Sequence, residues 1–556
     1  MRGANAISAS ASMPLAHHAP GTAADQRSIA AAIPKHFALA LALLIALSFA
    51  PFWWIYTVDD SYISLRYAHN LATGNGAVFT PGERVEGVSS PGWVMFLASV
   101  EAVGRDPLRA AKLTGLLASL CLIALLYAVV LRLTRNHVVA SVATLWLAVL
   151  PGIHVYASSG METVTFALAI ACAVSVSEWN ASPPIRAAAL AVSLVAVAVL
   201  RPEGLLVFTV LSLVWLVRPS SGHDRVAVTL ACATVAALLL LRHEYYGAFL
   251  PNTYLAKPSE LLFIMRSQPL RSVPFGVIYR VLSYEAMRGP LERLGGTGLL
   301  FCTVAGLLSQ APSRTLVSCA AAACAGVVFL AYAPLDWMPA DRFALPFAFP
   351  LLLCGAVGLH TLRKSVPAGR SRAVSLALIV VVATWATVEL RETAALLHDL
   401  RAGIANPAFD SRPYAAIGRW LNRNSRPTDT LLAFEVGAVG YFSERRIVDH
   451  EGLVTKPVAQ IIQRAGGYWR VRDGQNQQAM NDVVQYCVRQ KPDWMMIATH
   501  QPIAPGAPGL DAVAVEPIQR ALVRSMGAEM TVAAVFNMRP ASQSASGTYV
   551  LLHRSR

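Results

Sequence analysis

Apolar segments close to the length that crosses a lipid bilayer recur along the chain between residues 37 and 391. A transmembrane helix needs roughly 20 consecutive apolar residues, so a series of such segments points away from a water-soluble fold. The composition agrees, because only 14% of the 556 residues are charged and the mean hydropathy is +0.49. Soluble globular proteins carry about 25% charged residues. The sequence therefore predicts a polytopic α-helical membrane protein.

The apolar runs predict about eleven transmembrane helices, several of them shorter than a full span. Their expected positions are 37–56, 109–131, 137–153, 162–178, 186–200, 203–217, 226–242, 297–310, 315–333, 343–361 and 374–391. A further apolar stretch at 93–103 is too short to cross a bilayer and is expected to lie along the interface.

The net charge of +14 raises the question of a nucleic-acid partner. No nucleic-acid-binding motif is present. Lys and Arg instead accumulate in loops that flank membranes and on surfaces that face anionic lipid or phosphate. The predicted partners are therefore membrane lipid and phosphate-bearing molecules, and no nucleic acid.

The distribution of Lys and Arg among the loops predicts the orientation in the membrane. Four basic and otherwise plain loops are assigned to the cytoplasm: 132–137, 217–225, 310–314 and 362–372. Alternation of the helices then places the chemically distinctive segments together on the extracytoplasmic face: 57–108, 154–161, 201–202, 243–296 and 334–342. The functional site is therefore expected on the extracytoplasmic face.

Three regions are predicted along the chain. Residues 1–34, rich in Ala and Ser, are expected to form a disordered cytoplasmic tail, and 35–391 the membrane region. From about residue 392 the apolar runs shorten and the charge becomes mixed. Segments typical of strands at 430–453, 491–499 and 546–554, with an amphipathic helix at 412–424, predict a soluble extracytoplasmic α/β domain over 392–556.

The eight cysteines suggest neither a disulfide framework nor a metal site. Seven lie in or beside apolar segments, where Cys packs as a small apolar residue, and no C-x-x-C spacing occurs. The sequence identifies no metal ligand and no cofactor. A divalent cation held by carboxylates is left open.

The most distinctive polar feature is the pair Asp59 and Asp60 directly after the first apolar run. A single Asp there suits an ordinary helix end. Two adjacent carboxylates, followed closely by Tyr62 and Arg66, favour a functional role, because each raises the pKa of the other. Such a pair suits either a general base or a divalent cation.

The rest of the first outer loop (57–108) combines turn residues with fixed charge. Gly and Pro mark tight turns between residues 74 and 82, and Glu83 and Glu86 follow. A ligand-binding loop and a plain surface loop both remain open from these residues alone.

Six segments in order carry a resemblance to a known family. They are DDSYISLRYAHNLATGNGAVFTPGERVEGVSSPGW, SSGMETVTFAL, LRPEGLL, YYGAFLPNTYLAK, DWMPADRFALPFAFP and, more weakly, VDHEGLVT. Together they resemble the bacterial terminal β-(1→2)-arabinofuranosyltransferase group of the GT-C membrane glycosyltransferases, over about residues 55 to 455. The resemblance implies a polytopic enzyme that takes a sugar from a polyprenyl phosphate on the extracytoplasmic face. It implies an essential acidic residue that maps onto Asp59 and Asp60, with Asp59 slightly preferred and their roles not separated.

The remaining motif residues are interpreted against that donor. Three cations are predicted to bind the donor phosphate: Arg201, Lys257 and Arg342. Eleven residues are predicted to bind substrate: Tyr62, Arg66, Glu83, Glu86, Glu162, Glu203, Tyr245, Tyr246, Asn252, Asp336 and Trp337. The alternatives for these residues are snorkelling charge, carboxylate–arginine pairing and an interfacial aromatic belt.

The resulting hypothesis is a polyprenyl-phosphate-dependent glycosyltransferase of the bacterial plasma membrane, with its active site facing the periplasm or the outside. The expected sugar is arabinofuranose or another pentose, and the expected acceptor is a cell-envelope glycan or glycolipid. Two alternatives stay open. One is a transporter or flippase of a lipid-linked sugar, and the other is a non-catalytic membrane protein that binds envelope glycan.

Overall fold

The computed structural model of the chain describes most of the molecule. The described residues are 36–218, 221–257, 302–304, 313–332, 338–367, 371–402, 410–499, 514–526, 529–537 and 548–554. The tail 1–34, Asp336 and Trp337 lie outside these ranges, as does most of the predicted helix 297–310.

Helices account for the regular structure of the described residues up to 401. In the first half these helices are α1 Phe37–Trp53, α2 Asp59–Ala72, α3 Pro91–Ala102, α4 Pro107–Thr134, α5 His137–Val149, α6 Pro151–Ala157 and α7 Thr163–Ser175. Next come α8 Pro183–Leu200, α9 Gly204–Val217, α10 Gly222–Tyr246, α11 Thr253–Ala256, α12 Arg314–Tyr332, α13 Ala348–Lys364 and α14 Ser371–Arg401. Short 3₁₀ turns extend α7 at Val176–Glu178 and precede α13 at Leu345–Phe347.

Several of these helices are suited to cross a membrane. Among the described residues, four helices are long and apolar enough, namely α4, α8, α10 and α13 with its 3₁₀ turn. The pair α5–α6 bends by 55° and makes a fifth if it is one span, and shorter apolar helices of 10–17 residues include α1, α7, α9 and most of α12. Helices lie at ten of the eleven predicted positions, and the number that cross the membrane stays a prediction.

Two helix assignments differ from the sequence expectation. Residues 59–72, expected to be part of a loop, form the helix α2, because no Gly or Pro interrupts them before Gly74. Helix α14 continues ten residues past the predicted end at 391, because its apolar run ends there but the next helix-breaking residue is Gly403. Hydropathy locates the apolar part of a helix, whereas caps and breakers decide where the helix ends.

The C-terminal residues form a five-stranded sheet flanked by helices. The strands are β1 Thr430–Ala433, β2 Arg446–Asp449, β3 Trp494–Thr499, β4 Met530–Asn537 and β5 Thr548–Arg554. The helices are α15 Arg412–Asn424, α16 Gly437–Ser443, α17 Lys456–Ala465, α18 Tyr468–Arg472, α19 Gln477–Arg489 and α20 Pro517–Met526. The order is β2-β1-β3-β5-β4, in which β1 is parallel to β2 and β3, and β5 is antiparallel to β3 and β4. Helix α15 spans the predicted residues.

The two faces of this sheet belong to different cores. Leu431 and Met496 lie in the large apolar cluster that also contains residues of the membrane helices. Their neighbours Leu432 and Ile497 face a second cluster, which α17, α19 and α20 cover. Because side chains alternate across a strand, each strand contributes to both layers. One face of the sheet is therefore continuous with the membrane region.

Candidate active site

The distinctive segments of the sequence meet at one end of the helices. The Ser61 hydroxyl donates to the Ser159 carbonyl at 3.0 Å, and the Tyr156 hydroxyl donates to the Pro339 carbonyl at 2.5 Å. The amide of Asn252 donates to the Glu86 carbonyl at 2.8 Å. Segments up to 183 residues apart are thereby brought together, and the side of the membrane on which they lie stays a prediction.

The edge of the C-terminal sheet closes this region. The parallel strands β1 and β2 end at the register pair Ala433 and Asp449. Glu435 follows the first of these strands, and Glu451 follows the second. In sheets of this kind, ligands bind beyond the carboxyl ends of parallel strands, where the loops converge. This edge lies against the start of α2.

Asp59 and Asp60 open α2, where two carboxylates suit the positive end of the helix. Asp59 is 1% exposed, and its carboxylate accepts hydrogen bonds from the amides of Gly437 at 3.0 Å and Ala438 at 2.8 Å. Asp60 keeps 26% of its side chain exposed and lies 3.6 Å from the Arg342 guanidinium. The two adjacent carboxylates therefore have different partners and different access to a ligand.

Burial and neighbouring charge also alter the acidity of Asp59. Desolvation raises its pKa from 3.8 to about 7, with a further contribution from Asp60, although the two amide hydrogen bonds act in the opposite direction. The slight preference for Asp59 as the acting carboxylate finds no support in this geometry. Asp60 is the one with a solvent-accessible face and a cationic neighbour.

Arg342 reaches Asp60 from a strained turn. Ala340 and Asp341 both have left-handed backbone conformations, with φ of 62° and 53°. Non-glycine residues rarely adopt such angles, and they concentrate at functional sites. The guanidinium lies 4.6 Å from the centre of the Phe343 ring, and only 8% of the residue is exposed. A buried, oriented cation next to a carboxylate suits a phosphate or another oxyanion.

A second group of carboxylates follows the parallel strands. Burial raises the pKa of Glu435 well above its usual range, and the charges of Asp59, Glu451 and Asp60 raise it further, while Lys257 opposes the shift. Burial also raises the pKa of Glu451 to about 8, with Asp449 as the next cause. Carboxyl groups that retain a proton near neutral pH are typical of functional sites.

Asp449 shapes the segment that carries Glu451. Its buried carboxylate accepts hydrogen bonds from the amides of Glu451 at 2.8 Å and Val454 at 3.1 Å. Glu435 and Glu451 are not among the candidate residues predicted from the sequence, although the motif VDHEGLVT contains Glu451. Both residues lie within the predicted strand-containing segment 430–453, and only the parallel pairing of β1 and β2 places them at the same edge of the sheet.

Arg201 lies within a buried triad. Its guanidinium donates to Glu162 at 2.9 Å and to Glu203, and all three side chains are at most 6% exposed. Two carboxylates therefore surround Arg201, one of the three cations predicted to bind the donor phosphate. The arrangement matches the carboxylate–arginine pairing alternative.

Several predicted substrate residues instead join the outer segments to the C-terminal sheet. Arg66 donates to the carbonyls of Phe79 at 2.9 Å, Arg445 at 3.2 Å and Gly440. Tyr62 packs on two aromatic rings of α16 at 5.5 Å and 5.2 Å. Both side chains bind protein groups rather than an open surface.

The segment 243–257 makes similar connections. Asn252 donates to the carbonyls of Gly452 at 2.6 Å and Leu453 at 3.0 Å. Tyr246 donates to the Ala77 carbonyl at 2.6 Å, next to Gly76. Gly76 has a φ of 87°, and a Cβ there would lie 2.5 Å from the hydroxyl of Tyr245, so this close approach requires glycine.

The charged residues of the first outer loop are paired as well. Glu86 accepts from Arg242 at 2.8 Å and is 6% exposed, and Glu83 accepts from Arg446 at 2.7 Å near the surface.

Lys257, predicted to bind phosphate, is exposed and close enough to Glu435 and Glu451 to lower their pKa values. Among the residues that the structure describes, no three His, Cys, Asp or Glu side chains are grouped to hold a metal ion.

Raising the pH from 5 to 8 is expected to lower the melting temperature, and Glu451→Gln is expected to weaken this dependence. The folded protein retains the Glu451 proton to about pH 8, whereas the unfolded chain releases it near pH 4.5. Between those values the folded state binds more protons, so stability falls as the pH rises, by at most about 1.4 kcal/mol per pH unit. Gln mimics the protonated carboxyl.

Melting curves of the purified protein at several pH values test this expectation. Glu529→Gln is the matched control, because Glu529 carries the same side chain at a site with 62% exposure. A Glu451→Gln protein with the wild-type pH profile would contradict the raised pKa.

Comparison with known proteins gives three kinds of match. A family model described as "Domain of unknown function (DUF8728)" matches residues 403–551. The terminal β-(1→2)-arabinofuranosyltransferase of Mycobacterium tuberculosis (strain ATCC 25618 / H37Rv) is 33% identical over 225 residues. That match covers 37% of this chain and 35% of the relative, so the chain matches about a third of the relative's length.

The structure of ArnT extends the comparison to the fold. The apo crystal structure of ArnT from Cupriavidus metallidurans superposes with a TM-score of 0.50 at 14% identity, covering 95% of this chain and 98% of that one. Arabinofuranosyltransferase AftD from Mycobacteria gives 0.49 at 13% identity, over 93% of this chain and 41% of the other. The resemblance predicted from the sequence is confirmed: this is a multi-pass membrane protein with the fold of ArnT, and it is similar to GT-C glycosyltransferases of the arabinofuranosyltransferase kind.

Proposed function

We propose that the chain transfers a sugar from a polyprenyl-phosphate donor to a cell-envelope glycan or glycolipid. The sugar is arabinofuranose or another pentose, and the site faces the extracytoplasmic side of the bacterial plasma membrane. The observation that carries this proposal is the contact between Asp60, which keeps an exposed face, and the buried guanidinium of Arg342. A base and an oxyanion-binding cation thus lie side by side where the helices end.

The two groups suit the two halves of a displacement at an anomeric carbon. The acceptor hydroxyl attacks that carbon, and its proton passes to the carboxylate of Asp60. The bond between the anomeric carbon and the phosphate oxygen breaks, and the electron pair leaves with the polyprenyl phosphate. This leaving group needs charge stabilisation more than a proton, which the guanidinium of Arg342 supplies. A single displacement of this kind inverts the anomeric centre.

The neighbouring groups support a carbohydrate ligand. Glu435 lies near Asp60 and Glu451 lies near Glu435, and carboxyl groups of this kind hydrogen-bond readily to the hydroxyls of a sugar. The charge of Lys257 lowers the pKa of both groups, which opposes the effect of burial. The similarity to an arabinofuranosyltransferase favours a pentofuranose, although it covers about a third of that relative. Asp336 and Trp337 remain proposed substrate contacts outside the described residues.

Reconstitution into proteoliposomes tests this function. Polyprenyl-phosphoryl arabinofuranose is supplied with an octyl arabinofuranosyl disaccharide as acceptor, and the extended glycoside and free polyprenyl phosphate are measured. We expect both products in equal amounts, and less of each with a polyprenyl-phosphoryl hexose. A parallel reaction with EDTA shows whether a divalent cation is needed. Movement of the intact donor across the bilayer without product would contradict the proposal and support a transporter.

A further inference from the structure

Helix α2 holds both ends of the short helix α16. At the start of α16, the Asp59 carboxylate accepts the amides of Gly437 and Ala438. Two turns further along α2, Arg66 donates to the carbonyl of Gly440 and to that of Arg445 just beyond α16. These contacts join parts of the chain that are at least 374 residues apart in sequence. We call the four contacts the α2–α16 clasp.

The clasp lies next to the groups assigned to the reaction. Glu435 is two residues before α16, and Asp60 directly follows Asp59. The charges of Asp59 and Asp60 both act on Glu435, so these three carboxylates are close together. Any movement of α16 away from α2 would therefore shift Glu435 relative to Asp60.

We propose that Asp59 and Arg66 are positioning residues, which fix α16 and the adjacent sheet edge so that the acceptor hydroxyl is presented to Asp60. This inference rests on the proposed glycosyl transfer. It assigns different tasks to the two adjacent aspartates: Asp60 meets the substrate, and Asp59 orders the protein around it. It also assigns the C-terminal sheet edge to the acceptor rather than to the donor lipid.

The hydrogen bonds of Asp59 support this division. A general base must come within about 3 Å of the proton that it removes, directly or through one water. Asp59 is 1% exposed, and each of its carboxylate oxygens already accepts a backbone amide. Both carboxylate oxygens of Asp59 are hydrogen-bonded to α16, whereas Asp60 retains an exposed face.

The tight packing of Gly437 offers a way to open the clasp without altering a charged residue. A Cβ at this position would lie 2.1 Å from the Asp59 carbonyl oxygen and 2.4 Å from its Oδ2 atom. Real Cβ atoms do not approach so closely, and a backbone atom cannot rotate away. Gly437→Ala must therefore displace α16 from α2.

Three variants that weaken the clasp from different sides test the proposal: Asp59→Asn, Gly437→Ala and Arg66→Lys. The reaction is the proteoliposome assay with polyprenyl-phosphoryl arabinofuranose and the octyl disaccharide. We expect each variant to raise the KM for the disaccharide and to lower kcat/KM for it by about 10- to 100-fold, because small misplacements of a reactant are costly. The KM for the donor is expected to stay within about twofold of the wild-type value.

Folding is checked separately by the rise in melting temperature that polyprenyl phosphate alone produces. The same rise in the wild type and the variants shows an intact donor site. Gly222→Ala is the matched control, because a Cβ there meets nothing within 4 Å, and wild-type kinetics are expected. Arg66→Lys keeps the positive charge but has a single donor nitrogen in place of the guanidinium fork, so it tests the clasp even if Asp59→Asn fails to fold.

Two results would overturn the proposal. The first is loss of transfer in Asp59→Asn with wild-type kinetics in both Gly437→Ala and Arg66→Lys, which would make Asp59 a catalytic residue. The second is an equal loss of donor and acceptor affinity in all three variants, which would mean a general structural role. Failure of the proposed function is distinguishable, because it would appear as absent transfer by the wild-type protein itself.

Discussion

Asp60→Asn is expected to reduce sugar transfer by roughly three orders of magnitude while the protein remains folded. General base catalysis contributes about 10² to 10⁴ in rate, and a neutral amide cannot accept the acceptor's proton. Asp60 is the acidic residue that combines an exposed face with the cation Arg342 at 3.6 Å. Asn has nearly the same shape, so little change in melting temperature is expected. The measurement is the initial rate of glycoside extension in proteoliposomes.

Asp106→Asn is the matched control for this experiment. Asp106 belongs to the same outer loop, and its side chain, 51% exposed, accepts the amides of Leu108 and Arg109 at the start of α4. Asn caps a helix as well as Asp does, so this variant should transfer sugar at the wild-type rate. Wild-type activity in Asp60→Asn would remove the carboxylate from the mechanism and, with it, the proposed chemistry.

Arg201→Met is expected to destabilise the protein by about 3 to 5 kcal/mol, because it breaks a buried network of charges. Removal of the Arg201 guanidinium leaves Glu162 and Glu203 without a counter-charge, and both side chains are at most 6% exposed. The remaining carboxylates are poorly solvated, and this uncompensated charge accounts for the size of the effect. Thermal unfolding in detergent, followed by near-UV circular dichroism, measures the effect as a lower melting temperature.

Neutralising the whole triad provides the internal check. Adding Glu162→Gln and Glu203→Gln to Arg201→Met is expected to recover much of the lost stability, because no uncompensated charge then remains. Arg109→Met is the matched control, since Arg109 pairs with Asp106 at 79% exposure and such pairs contribute little. Unchanged stability in Arg201→Met, together with weaker donor binding, would instead return Arg201 to the phosphate-binding role predicted from the sequence.

Hydropathy alone located most of the helices, because a membrane segment is defined by a local property of consecutive residues. The adjacent carboxylates Asp59 and Asp60 also stood out locally. The different surroundings of the two carboxylates are not predictable from nearby sequence, because the amides that bind Asp59 belong to residues 437 and 438. A sequence pattern near residue 60 contains no information about which of two neighbours will meet a segment so far along the chain.

The same reasoning explains the predicted substrate residues that contact protein instead. Arg66 and Asn252 are polar residues in motifs rich in aromatics and turns, which is typical of ligand-binding loops. In the structure, their donors are taken up by backbone carbonyls of the C-terminal sheet region. A side chain that binds a backbone carbonyl and one that binds a sugar hydroxyl present the same sequence signal. Conversely, Glu435 and Glu451 become candidate site residues only because the parallel pairing of β1 and β2 places them at the same edge of the sheet.

The separation of 378 residues between Asp59 and Gly437 has a consequence for biosynthesis. At about 5 to 20 residues per second, the ribosome needs on the order of 20 to 75 seconds to make the intervening chain. During that interval the first helices enter the bilayer while Asp59 has no amide partners from α16. We therefore expect a chain that stops before residue 437 to be inactive, because it lacks the amides that Asp59 accepts.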